Sequence, residues 1–298
     1  MIMLRWAAEV KALACEMPAA SGAPLARWIC PELARQTATS GITPAPSAST
    51  VRRWLADDVL KPWQHRSWIF PRDPRFAVKA GRVLDLYQRE WEGQPLGPDE
   101  YVLSADEKPG VQARMRLHLP LPPGPGRAMR AESGYHRHGT PAYLATYDVH
   151  HVRVMGRCEP STGIKPFTAL VDQVMSAEPY ASARRVFWVV DNGASHRNRA
   201  AAADRPHSAY PNARMVHLPV HASWLNQVEV YFSVIQRTLL TPDDLEGLDE
   251  LAAQILAFEK HHNAAARPFD WKFTRTDLNQ LLARIRNHDR HALRPRAA

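Results

Sequence analysis

The sequence predicts a mixed α/β sheet covered by helices on both faces, preceded by an all-α segment. Two observations support this. Apolar runs of strand length begin only at about residue 101, and from there strand-like and helix-like periods alternate. Before that point the chain reads as short helical stretches broken by Pro, Gly and Ser.

The chain has 298 residues, enough for two domains. Its 45% hydrophobic and 23% charged residues are ordinary globular usage, which excludes a disordered chain, a collagen or a coiled-coil rod. No apolar run approaches the ~20 residues of a membrane-spanning helix. Glu9 and Lys11 interrupt the opening stretch, so no signal peptide and no membrane partner are expected. Cys15, Cys30 and Cys158 are odd in number and far apart, which argues for a reducing cytoplasm over a disulfide scaffold.

Lys and Arg number 38 against 30 Asp and Glu, a net charge of +8. Residues 1–75 carry +4 and residues 284–298 another +4, so residues 76–283 are neutral. Basic ends on a neutral body suit a polyanion, because each neutralised phosphate releases a counterion.

The elements follow in order. Residues 1–62 read as a helix-turn-helix domain: Leu4–Cys15, then Pro24–Thr37 with Pro in its first turn, then Val51–Asp57 capped by Ser49 or Thr50. Val51 and Leu55 share the inner face. Ser49, Thr50, Arg52 and Arg53 then point outward, where hydroxyls and guanidinium groups meet phosphates and base edges. Any small three-helix bundle shares this pattern. Residues 63–98, with one helix at 76–90 between two Pro/Gly-rich breaks, read as a linker. Residues 99–298 hold the sheet. Tyr101–Ala105 is a strand ending at Asp106. A Pro-rich surface excursion follows at 119–126. Then come a strand pair, Ala142–Val149 and Val152–Cys158, and a helix, Ile164–Ala177. Arg185–Val190 is a buried strand ending at Asp191. Ala200–Asp204 reads as a helix, Ala213–Leu218 as a strand and Asn226–Leu239 as a helix, with further helices near 248–263 and 276–288.

Open α/β sheets place ligands at the carboxyl ends of their strands. Asp106 and Asp191 occupy such ends, and Glu229 stands in the first turn of the following helix. A lone Asp at a strand end is most often a cap or an ion-pair partner. Three carboxylates brought together repel unless a cation lies between them. Oxygen donors without cysteine favour Mg²⁺ or Mn²⁺ over zinc. Two such ions serve phosphodiester chemistry.

These residues fall in a series: Ala105-Asp106-Glu107-Lys108, Tyr135 to Thr140, Val190-Asp191-Asn192-Gly193-Ala194-Ser195-His196, and His221-Ala222-Ser223-Trp224-Leu225-Asn226-Gln227-Val228-Glu229. The series resembles bacterial insertion-sequence transposases of the DDE type, in the mariner-like superfamily. Ser49–Leu55, Leu60–Trp63 and Arg267–Lys272 add to the resemblance, which covers roughly residues 24–280. It implies an RNase H-like catalytic core with Asp106, Asp191 and Glu229 as catalytic and metal-binding triad, and 37 residues separate the last two. It also implies two Mg²⁺ or Mn²⁺ ions, double-stranded DNA as partner (transposon ends and target), a homodimer, and a nucleoid-associated place in a bacterial cytoplasm. Related transposases carry two helix-turn-helix units before the core. One is legible here, so a shortened N-terminus is expected. A silent transposase that only binds DNA, and an RNase H-like nuclease, are the alternatives.

Other residues have plainer readings. Lys108 is placed to meet a phosphate, and Glu107 to point away from Asp106. Asn192 and His196 serve as helix caps as readily as they orient a metal. His217 and His221 are spaced i, i+4, but Pro219 between them argues against a helical zinc pair. Trp188 reads as core, and Trp224 as packing before it reads as a base-stacking platform.

Overall fold

The computed structural model describes residues 2–65, 70–193, 209–265 and 267–292. The chain divides into two compact units, Met1–Ile69 and Phe70–Ala298. The expected helix at Ala200–Asp204 and His196 lie outside the described residues.

In the first unit, α1 (Ile2–Ala14), α2 (Cys30–Thr39) and α3 (Ala48–Asp57) enclose Val10, Leu13, Trp28, Leu33, Val51 and Leu55. The buried Trp28 ring donates its Nε1–H to the Glu16 carbonyl at 3.0 Å. Two details differ from expectation. Helix α2 starts at Cys30 and not at Pro24, because Pro31 is tolerated only in a first turn. Helix α3 starts three residues early, at Ala48. Its cap is Ser47, whose Oγ accepts from the Thr50 N–H at 3.1 Å. Ser49 and Thr50 are therefore first-turn residues, and both hydroxyls bond the Ser47 hydroxyl.

The second unit opens with α4 (Phe76–Tyr87), the helix expected inside a 63–98 linker. Burial overrides the Pro/Gly breaks around it. Phe76, Ala80, Val83, Leu84 and Leu86 are core residues, packed with Val102, Phe187, Val189 and Leu278. The division between the units accordingly falls at 69/70. A minimal hairpin follows, β1 (Glu90–Trp91) with β2 (Gln94–Pro95). Then come β3 (Glu100–Lys108), a second minimal hairpin of β4 (Arg114–Met115) and β5 (His136–Arg137), β6 (Ala142–Asp148), β7 (Arg153–Glu159) and α5 (Ile164–Met175). Next are β8 (Arg185–Val190), β9 (Ala213–His217), α6 (Val228–Thr238), α7 (Leu248–Ala264) and α8 (Arg275–Ala292). The Pro-rich stretch between β4 and β5 is exposed, as expected, with Leu119 87% accessible.

Five strands form the main sheet in the order β7-β6-β3-β8-β9. Strands β3, β8 and β9 are parallel, and β6 and β7 complete the sheet antiparallel. Side chains alternate between its faces. Val186, Trp188 and Val190 join Leu103 and Ala105 under α5, whereas Phe187 and Val189 join Val102 under α4 and α8. Helices α6 and α7 cover the β6–β7 end through Tyr143, Ala145, Tyr147 and Val154. No described helix is long and apolar enough to cross a membrane.

Candidate active site

Strand β3 does not end at Asp106. It pairs with antiparallel β6 as far as Lys108, but its last pair with parallel β8 is Ser104 with Val189. Carried two residues on, that register sets Asp106 abreast of Asp191. Both aspartates have the parity of Val102 and Val189, so they share the face that carries α4.

Asp106 is buried and held from two sides. The Glu107 N–H donates to its Oδ1 at 2.8 Å, and Asn226 Nδ2 donates to its Oδ2 at 3.0 Å. Asn226 is fully buried. Its Nδ2 also donates to the Ala105 carbonyl at 3.0 Å, and its Oδ1 accepts from the Ser104 hydroxyl. These partners fix the amide orientation, since a carboxylate and a carbonyl can only accept. The Ser104 oxygen in turn accepts from the Val228 N–H at 2.9 Å. One amide thus ties the Asp106 carboxylate to the first turn of α6, the turn that carries Glu229. Sequence reasoning gave Asn226 no role. It stood inside the motif, but only its long-range contacts display its function.

Asp191 follows β8 directly, and its Oδ1 accepts from the Gly193 N–H at 2.6 Å. A Cβ at Gly193 would stand 2.8 Å from that oxygen, so a side chain there would make the Asp191 carboxylate shift. Asn192 has a contact of its own. Its Nδ2 donates to the Leu218 carbonyl at 2.6 Å, which ties the ends of β8 and β9 together. Glu229 is half-buried. Burial pushes its carboxyl pKa up, Lys108 opposes the rise and the Asp191 charge adds to it. Burial lowers the Lys108 pKa, and Glu229 counters this. Glu229 therefore senses both Asp191 and Lys108 across the sheet edge.

Among the described residues no group of three or more His, Cys, Asp and Glu side chains is close enough to hold a metal ion. The chemistry of the three acids nonetheless fits a hard divalent cation. All donors are carboxylate oxygens, and Glu229 is already raised by burial and by Asp191, the charge conflict that a cation relieves.

The remaining predicted residues lie elsewhere. Arg52 and Arg53 are exposed on α3 in the first unit, and the Arg52 guanidinium lies 5.9 Å over the Trp63 ring. Trp188 is core, as expected. Trp224 packs edge-on against Phe273 with ring centroids 5.0 Å apart, which is a packing role and not a free stacking surface.

The second unit is thus a mixed α/β sheet with two aspartates at the carboxyl edge of its parallel strands β3 and β8. The sequence model of the DDE superfamily endonucleases matches residues 102–252. The chain belongs to that family. No curated protein sequence matches it. Among solved structures it is similar to the Mos1 mariner paired-end complex with Mn, at 15% identity and TM-score 0.53. It is also similar to the Mos1 transposase paired-end complex with left transposon end (14%, 0.52) and to the Mos1 strand transfer complex (15%, 0.51). Each match covers 94% of this chain and 76% of the other. At such identity the likeness is one of fold.

Proposed function

We propose that the protein is a DNA transposase that cuts phosphodiesters at element ends and joins the freed strand to target DNA. The observation that carries this is the setting of Asp106 and Asp191 abreast on one face, with Glu229 brought to the same edge by Asn226. Asp106, Asp191 and Glu229 are the catalytic carboxylates and would hold Mg²⁺ or Mn²⁺, two ions in the full site. When bound, such ions lower the pKa of an attacking water or hydroxyl and stabilise the leaving oxygen.

The protein's own groups align the reactants. In the first step a water oxygen bonds to phosphorus while the P–O3′ bond breaks, giving a 3′-hydroxyl and a 5′-phosphate. In the second, that 3′-oxygen bonds to a target phosphorus and displaces the target's own 3′-oxygen. Lys108, half-buried beside Glu229, steadies a non-bridging phosphate oxygen. In the first unit, Ser49, Thr50, Arg52 and Arg53 at the start of α3 contact duplex DNA. Two of the solved neighbours are paired-end complexes, which supports a homodimer acting on two ends, and a reducing compartment that holds chromosomal DNA suits the three free cysteines.

The test is Mn²⁺-dependent nicking of duplexes taken from the DNA that flanks the gene. Asp191→Ala should abolish nicking with the fold and duplex binding retained. Nicking at the parent rate by that variant would reject the assignment.

A further inference from the structure

A cleft of about 290 Å³ opens beside Asp191. Asp191, Asn192 and Gly193 form one wall, and the loop 219–223 forms the other. His221 is exposed on that loop and holds a left-handed backbone with φ 60°. For a non-glycine residue such a conformation carries a modest backbone cost that the folded loop must offset. One tie holds the loop and a second holds the turn just after it, both from the start of the second unit. The Val220 N–H donates to Asp73 Oδ2 at 3.2 Å, and the Tyr87 hydroxyl donates to the Leu225 carbonyl at 2.8 Å.

Asp73 is buried, and its carboxylate is shared. Oδ1 accepts from the Arg75 N–H at 2.9 Å, at the start of α4, and Oδ2 also accepts from Lys79 Nζ at 2.7 Å. Burial pushes its pKa up, but Lys79 and the backbone donors of Arg75 and Val220 outweigh that and hold it below the ordinary carboxylate range. Starting the helix needs only Oδ1. The second oxygen reaches 147 residues along the chain to the cleft wall.

We propose that the loop 219–223 is the second wall of a DNA-strand groove, that His221 contacts the sugar–phosphate backbone of the strand being cut, and that Asp73 is a positioning residue that fixes this wall through Val220. The inference rests on the nuclease reading above. His221 and Ser223 line the same cleft as Asp191, and an imidazole N–H and a hydroxyl suit phosphate oxygens and carry no base preference.

The test compares His221→Gly, Asp73→Asn and the double variant in the full chain. It reads KM and kcat for Mn²⁺-dependent nicking, duplex affinity by fluorescence anisotropy in Ca²⁺, and thermal midpoint. Glycine accepts a positive φ freely, so His221→Gly keeps the loop and removes only the imidazole. It should raise KM and the anisotropy Kd about 5–10-fold, more than it lowers kcat, with an unchanged or higher midpoint. Asp73→Asn should move KM the same way, and the double variant should be no worse than His221→Gly alone, the non-additivity of two residues acting through one contact. Unchanged KM and Kd in His221→Gly, additive losses, or an Asp73→Asn variant that loses only thermal midpoint would each overturn the proposal. If the parent protein binds duplex but never nicks, the nuclease reading fails, and the anisotropy comparison still decides the wall.

Discussion

Asp106 and Asp148 lie toward opposite ends of one antiparallel ladder, where Asp106 faces Ala145 and Asp148 faces Leu103. Both are buried carboxylates on neighbouring strands. Asp148 is satisfied by its own hairpin and one neighbour: the His150 and His151 N–H groups at 3.2 and 3.1 Å, His151 Nδ1 at 3.1 Å, and the Tyr180 hydroxyl at 2.9 Å. Asp106 is tied instead to Asn226, 120 residues along the chain, on the element that brings Glu229. Burial alone therefore does not distinguish an acid that closes a turn from an acid that does chemistry.

Four measurements break or sharpen this contrast. Asp106→Asn should lower Mn²⁺-dependent nicking roughly 10³-fold or more while the thermal midpoint stays near that of the parent. A large loss of midpoint would make Asp106 structural as well. Asp148→Ala should behave oppositely. It strands the Tyr180 hydroxyl and two turn N–H groups, which costs about 3 kcal/mol in denaturant unfolding, while nicking per folded molecule is retained.

Asn226→Ala should weaken Mn²⁺ binding by calorimetry roughly 10–100-fold, since a group that orients a ligand sets its affinity. Asn226→Asp should be worse, because a carboxylate cannot donate to Asp106. Equal Mn²⁺ affinity in all three proteins would leave Asn226 a packing residue.

The smallest effect concerns a half-buried acid on α7. Glu259 accepts from the Tyr143 hydroxyl at 2.9 Å, and burial pushes its pKa up to about 7 against the partial opposition of Tyr143, the Gly156 backbone, Arg153 and Lys260. Its folded value lies above its unfolded one. Its contribution to stability is therefore fully present below the unfolded pKa near 4.5 and is lost as pH rises through about 7. Glu259→Gln should flatten that loss, raising stability at pH 8 by on the order of 1 kcal/mol after solvent screening. Parallel pH–stability curves for parent and variant would refute it.

Much of the architecture was legible because period and punctuation agree. The runs expected at 101–105, 142–149, 152–158 and 185–190 give β3, β6, β7 and β8, the middle pair each one residue short at the shared turn, and Val228, Phe232 and Ile235 mark the inner face of α6. Local signals misled where tertiary burial decided. The Pro/Gly breaks around 76–87 look like a linker, yet α4 is core. Pro24 looks like a helix start, yet Pro31 sets it. Asp191 and Glu229 were legible at a strand end and a helix start, whereas Asp106 stands where β3 loses its parallel neighbour and not where the strand ends. Asn226 and Asp73 were not, because their roles consist of contacts that span 120 and 147 residues and leave no periodic trace.

The packing under α4 and α8 bears on how small this enzyme can be made. Residues 102–252 carry all three acids and the whole span matched by the family, but Phe76, Leu84, Leu86 and Leu278 cover one face of the sheet from outside it. A fragment cut to the recognisable span would leave that face bare to water. The autonomous folding unit is therefore wider than the span by which its ancestry is read.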